Sequence, residues 1–362
     1  MEVTKGKISL RQGILLLILA LGAPSLRVMP NYLALNSREA GWLAPVVAIV
    51  PGLFLVFVLN KLFSKTKCES LYDVYDRIFG RVINKFICII YIAWIMVLTA
   101  LYLRMYGERV IGEILFEANL PFVLLVMSIF VLFIVNDKID AFGRLGEILV
   151  WVLISLFMAV FLFVLPQIKL ENIYPVTYYD IVPILKGSIP ILAISSYITL
   201  VMFIGDRISY KKELKKLGTQ MMIFYSVLLI LLFLVTVGLF GANLIEQFVF
   251  PYYSTLKNIR IMESIERLES LFISVWISSD FVIVTLFFIV MLTLIKRLFN
   301  MRCYKKVSPL AMIVIFFIAL NLGNNIFEIE NGIRAFSLPM NIALFWVMPI
   351  FAWIVGKVRR IV

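Results

Sequence analysis

Two ionisable side chains fall inside long apolar runs of this sequence, Arg27 and Asp280. A charge at such depth in a hydrophobic segment costs at least a few kcal/mol and marks a pathway, a relay or a pair. The two are expected either to pair with each other or to hold a charged ligand between them. Asp280 has a second option, a water-filled vestibule, because its segment is long enough to slide. Around Arg27 the run Leu21-Gly22-Ala23-Pro24-Ser25-Leu26-Arg27-Val28-Met29-Pro30 combines a glycine with two prolines. Each proline removes a backbone donor, so the helix ladder is expected to open there, toward protein or a cavity and away from lipid. A kink that only shapes packing is the competing expectation.

Other chemistry is scarce. The chain has no histidine, which removes the commonest general base and nitrogen ligand. Its three cysteines, Cys68, Cys88 and Cys303, have neither disulfide nor zinc spacing. No cofactor, metal ion or catalytic residue is expected, and the chain is read as a non-enzyme. Hydroxyls and aromatics remain: Thr99, Tyr102 and Trp94 in one segment, Ser195, Ser196 and Tyr197 in another, and Ser274, Ser278, Ser279 and Thr285 beside Asp280. Most such hydroxyls tie helices together, and some can face a solute.

The elements that position these residues follow from hydropathy. The 362 residues are 62% hydrophobic, with mean hydropathy +1.02, against roughly 45–50% apolar in soluble domains. One polytopic membrane domain over residues 1–362 is implied. About ten runs are long enough to span a bilayer: Gly13 to Leu35, Trp42 to Leu62, Ile83 to Leu103, Leu120 to Val135, Gly146 to Pro166, Ile184 to Ile204, Thr219 to Leu239, Leu271 to Ile295, Pro309 to Leu322 and Leu338 to Val355. Of the 34 basic residues, 24 fall on the side of the N-terminus and nine on the other, with Arg27 between. This asymmetry predicts both termini in the cytoplasm. It also accounts for the net charge of +12 without nucleic acid. The basic start through Arg11 reads as the lead into an uncleaved first helix.

Ten spans divide into five plus five, which makes the halves antiparallel through the membrane, an inverted repeat of about 11–166 and 183–356. The sixth span carries Gly187 and Pro190 and then Ser195-Ser196-Tyr197. Both repeats thus open on an irregular helix, the strongest pointer to a solute site. The residues expected at it are Gly22, Ala23, Pro24, Ser25, Arg27, Thr99, Tyr102, Ile194, Ser195, Ser196, Tyr197, Ser279 and Asp280. Between spans, Cys68 to Gly80 has the spacing of an interfacial amphipathic helix. The outer loop Asn243 to Glu269 could be a lid or could simply pack on its neighbours.

Ile8-Ser9-Leu10-Arg11-Gln12, Pro30, Trp42, Glu69-Ser70-Leu71 to Phe79-Gly80, and Phe250-Pro251 through Glu266-Arg267-Leu268-Glu269-Ser270-Leu271-Phe272 to Trp276 resemble the permease-like B subunit of spore germinant receptors, within the amino acid, polyamine and organocation transporter superfamily. The resemblance covers nearly the whole chain and is most specific from Glu266 to Trp276. It implies a LeuT-like fold with broken first and sixth helices, in the inner membrane of a bacterial endospore. It also implies a small nutrient ligand, often an amino acid, and two partners, a membrane A subunit and a lipoprotein C subunit. Ser195, Ser196 and Ile198 stand where the family commonly has glycines and a glutamate, the family's Thr-Pro is missing around Asn119-Leu120-Pro121, and Arg27 is unexpected in the first helix. An arginine there suits a ligand that bears a carboxylate. The alternative to a ligand-sensing subunit is an ion-coupled amino-acid permease, for which Asp280 is the acidic candidate.

Overall fold

The computed structural model describes residues 8–362 except 138, 210, 249, 259–265 and 324. Each expected span coincides with helix. In the first half these are α1 (Leu10–Ser37), α2 (Ala44–Thr66), α4 (Arg81–Glu113), α5 (Leu120–Asp137) and α6 (Ile139–Val164), with the short α3 (Leu71–Phe79) between the second and third spans. In the second half, α7 (Ile181–Ser195) and α8 (Ile198–Phe203) make the sixth span, and α9 (Leu214–Phe240), α12 (Glu266–Leu298) and α13 (Ser308–Asn321) follow. Short helices α10 (Ala242–Ile245) and α11 (Pro251–Asn258) occupy the outer loop. The last span runs over 326–358 as α14 (Ile326–Gly332), a π segment (Ile333–Ser337), α15 (Leu338–Asn341), a second π segment (Ile342–Val347) and α16 (Met348–Val358).

Helix α1 is the axis of the molecule and packs against α6, α7, α9 and α12. Its start is fixed by a capping box. Gln12 N donates to Ser9 Oγ at 3.1 Å, and Ser9 N donates to Gln12 Oε1 at 2.9 Å. Close approach to α6 requires Gly146, where a Cβ would stand 2.6 Å from the Leu16 side chain. Ahead of the cap, β1 (Ile8–Ser9) pairs in parallel with β2 (Ile208–Ser209), just past α8. The entry to the first span is thereby stitched to the exit of the sixth.

The predicted interfacial helix is α3, with Leu71, Val74, Tyr75, Ile78 and Phe79 buried. Its capping box joins Ser70 to Asp73, and Gly80 ends it at φ +86°, a conformation that only glycine adopts cheaply. Of the outer loop, Asn243 to Pro251 opens α10 and α11, while Ile261 to Ile265 lies outside the described residues.

The two irregular helices differ. The sixth span breaks at Ser196-Tyr197 between α7 and α8. Ser195 Oγ donates to Leu192 O at 3.2 Å and Ser196 Oγ to Ala193 O at 2.7 Å, while Tyr197 N turns to Ile194 O at 3.1 Å. Hydroxyls competing for the ladder's carbonyls tighten and end the helix. The first span, expected to open, stays helical from Leu10 to Ser37 with Pro24 and Pro30 inside it. Each proline withdraws only one donor from the ladder, and α1 is packed on several sides by α6, α7, α9 and α12, so the helix runs on. Pro190 is likewise carried inside α7.

Candidate functional site

Where α1, α4, the break of the sixth span and the last span meet, a closed cavity lies against Pro24, Arg27, Val28, Tyr32, Leu98, Leu101, Tyr102, Ile194, Tyr197, Ile333, Ser337, Leu338 and Asn341. Its volume is about 20 Å³, room for about one water. A larger solute therefore needs these walls to part.

Arg27 is 4% exposed, and its Nε and Nη1 are buried with no hydrogen-bond partner. A desolvated guanidinium with idle donors is costly and calls for an anion. Below it runs a hydrogen-bonded chain. Trp94 Nε1 donates to Asn341 Oδ1 at 3.0 Å, Asn341 Nδ2 donates to Tyr197 OH at 2.9 Å, and the Tyr197 and Tyr102 hydroxyls lie 3.0 Å apart. The chain ties α4 and the last span to the break, and Tyr197 is held there edge-on to Phe287 and Phe345.

Two polar clusters join elements elsewhere in the bundle. On the outer side Arg334 Nη2 donates to Asn31 Oδ1 at 2.8 Å and its guanidinium lies 4.9 Å from the centre of the Tyr32 ring. Asn31 Nδ2 donates to Glu246 O at 2.8 Å, which brings in the outer loop. On the N-terminal side Arg297 joins Asp73 at 2.5 Å and Asp206 at 3.5 Å, linking α12, α3 and the exit of α8 beside a polar cleft of about 420 Å³.

A family model for the description "Spore germination protein" matches residues 7–327. The chain belongs to this spore germination protein family. Spore germination protein KB of Bacillus subtilis (strain 168) is 22% identical over 98% of this chain and 96% of its own length. Spore germination protein YndE of the same strain is 20% identical over 98% and 97%. Among solved structures, MhsT in complex with L-phenylalanine superposes with TM-score 0.69 at 12% identity, covering 94% of this chain and 89% of MhsT. The Eremococcus coleocola manganese transporter gives 0.62 at 14% identity, over 92% and 73%. These likenesses establish the LeuT-like fold, two repeats of five spans.

In this spore germination protein the expected site residues divide into two groups. Pro24, Arg27, Tyr102, Ile194 and Tyr197 come together on the cavity. The others do not line it. Gly22 sits in the α1–α12 contact, where a Cβ would lie 3.1 Å from Ser279 Oγ. Ser25 bonds Tyr225 OH at 2.8 Å, Thr99 Oγ1 donates to Ile95 O at 2.6 Å, and Ser279 Oγ donates to Leu19 O. Ser195 and Ser196 cap their own helix. The Ala23 side chain lies outside the described residues.

Asp280 corrects the expectation of a pair with Arg27. Its partner is Arg109 of α4, and that guanidinium also stacks 4.2 Å from the centre of the Trp276 ring. A third span ending at Leu103 leaves Arg104 and Arg109 among the nine basic residues expected on the outer side. Helix α4 runs on to Glu113, 33 residues or about 50 Å, and buries both. Arg104 donates to Leu320 O and Gly323 O, each at 3.0 Å, thereby capping α13, and pairs with Glu108 at 2.7 Å. Sequence reasoning also missed the last span's share of the cavity. Its signal was Asn341, a lone amide in an apolar run.

Proposed function

We propose that this spore germination protein is the ligand-sensing membrane subunit of a nutrient germinant receptor, taking a small nutrient that bears a carboxylate, an amino acid in the simplest form, at the closed cavity. The reading rests above all on one observation, the buried and unpartnered Arg27 on the cavity wall between the irregular helices. The neighbouring cavity residues Pro24, Tyr102, Ile194 and Tyr197 would form the rest of the site. Family membership supports the germination role, and the basic asymmetry of the loops supports both termini in the cytoplasm. On this reading the chain works in the endospore inner membrane with an A subunit and a lipoprotein C subunit. Arg27→Gln in spores that carry the native partners should abolish the nutrient response at unchanged protein level. An unaltered response would overturn the proposal.

The transporter-like fold also suits an ion-coupled permease. Substrate counterflow in proteoliposomes separates the two: exchange across the membrane favours the permease, and saturable binding without exchange favours the sensor.

A further inference from the structure

The polarity of the hydrogen bonds around the cavity specifies the charge of what fits there. Trp94 Nε1 can only donate, so its bond to Asn341 Oδ1 fixes the orientation of that amide. Asn341 Nδ2 then donates to Tyr197 OH, and the Tyr197 and Tyr102 hydroxyls, 3.0 Å apart, share a hydrogen bond in which either can donate. The fixed donors at the site are the idle Nε and Nη1 groups of Arg27. Tyr32 and Ser337 supply hydroxyls that can turn to either role, and among the described lining residues there is no carboxylate.

Charge counting points the same way. Arg109 with Asp280 and Arg104 with Glu108 neutralise themselves. Arg27 and Arg334 remain, with Glu330 acting on both. Among the described residues, two cations against one anion leave one positive charge in a low-dielectric setting. A monoanion brings the cluster to neutrality, whereas a zwitterion leaves it charged and adds an ammonium without an anionic partner.

We propose that the cavity selects a small apolar monocarboxylate of net charge −1, so that an α-amino group is dispensable and unfavourable. The proposal rests on the reading above that a carboxylate binds at Arg27, and replaces the amino acid named there with an acid that lacks the amino group. Three probes of one hydrocarbon shape decide it: 3-methylbutanoate, L-valine and 2-methylpropylamine, titrated by calorimetry against the full-length chain in detergent. The expected order is 3-methylbutanoate at least tenfold tighter than valine, with no saturable binding of the amine. Arg27→Gln should remove the carboxylate binding. Glu330→Gln, outside the cavity wall, should tighten 3-methylbutanoate several-fold by raising the positive charge of the cluster, which shows in a folded variant that charge sets the affinity. Valine binding more tightly than 3-methylbutanoate, with Arg27 still required, would overturn the charge selection and leave the carboxylate site standing. Binding indifferent to Arg27→Gln, or no binding of any probe, would overturn both.

Discussion

Arg27 and Arg109 are equally buried, each 4% exposed, and their surroundings are opposite. Arg109 has a carboxylate, Asp280, and an indole face, Trp276, supplied from α12. Arg27 faces a cavity with its donors idle. A buried cation that the fold itself neutralises is architecture, joining one helix to another. A buried cation left open is a vacancy shaped for something that arrives later.

The contrast breaks most sharply at the closed pair. Arg109→Leu strands Asp280 in a dry setting and should cost about 3–5 kcal/mol, read as thermal unfolding in detergent. Adding Asp280→Leu should recover most of the loss. If the double variant is as unstable as the single, the pair is not what Arg109 contributes.

Arg104 stands between the two extremes, since it serves the α13 terminus through backbone carbonyls. Arg104→Leu should cost about 2–3 kcal/mol by the same assay, because hydrogen bonds from a charged donor are lost while the carbonyls can relax toward water. Arg27→Leu should then fall within about 1 kcal/mol of wild type, or above it, since it removes a buried guanidinium whose Nε and Nη1 have no hydrogen-bond partner. The germinant response should be lost all the same. A large destabilisation would place Arg27 with Arg109 as a structural residue. The smallest effect expected is at the break. Ser196→Ala returns Ala193 O to the backbone and should change stability by less than about 1 kcal/mol while slowing hydrogen exchange at 196–198.

The spans were legible because twenty-odd apolar residues can mean little else, and helix fills each of the ten. What sequence reasoning weighted wrongly was the breakers. Pro24, Pro30 and Pro190 all sit inside continuous helix, because a proline deletes only one donor of the ladder and the packed helices around it hold the rest. The helix ends at 196, where the Ser196 hydroxyl takes Ala193 O and Tyr197 N turns to Ile194 O instead. The site was half legible for a related reason. Types and depth singled out Arg27, Tyr102 and Tyr197, but partner choice is tertiary. Nothing in the one-dimensional pattern says that Asp280 meets Arg109 and leaves Arg27 alone. Asn341 was hidden because a single amide is a weak signal until its neighbours, Trp94 and Tyr197, are seen beside it.

The stitch between Ile8–Ser9 and Ile208–Ser209 is made by main-chain atoms. Side-chain truncation leaves such a tie intact, so an alanine scan would read Ile8 and Ile208 by their buried side chains and Ser9 by its cap, and pass over the fastening itself. Only a change to the backbone, a proline in place of a paired residue or an ester in place of an amide, exposes it. A mutational map of this protein would therefore show packing and capping, and nothing of the seam, at the place where its two halves are sewn together.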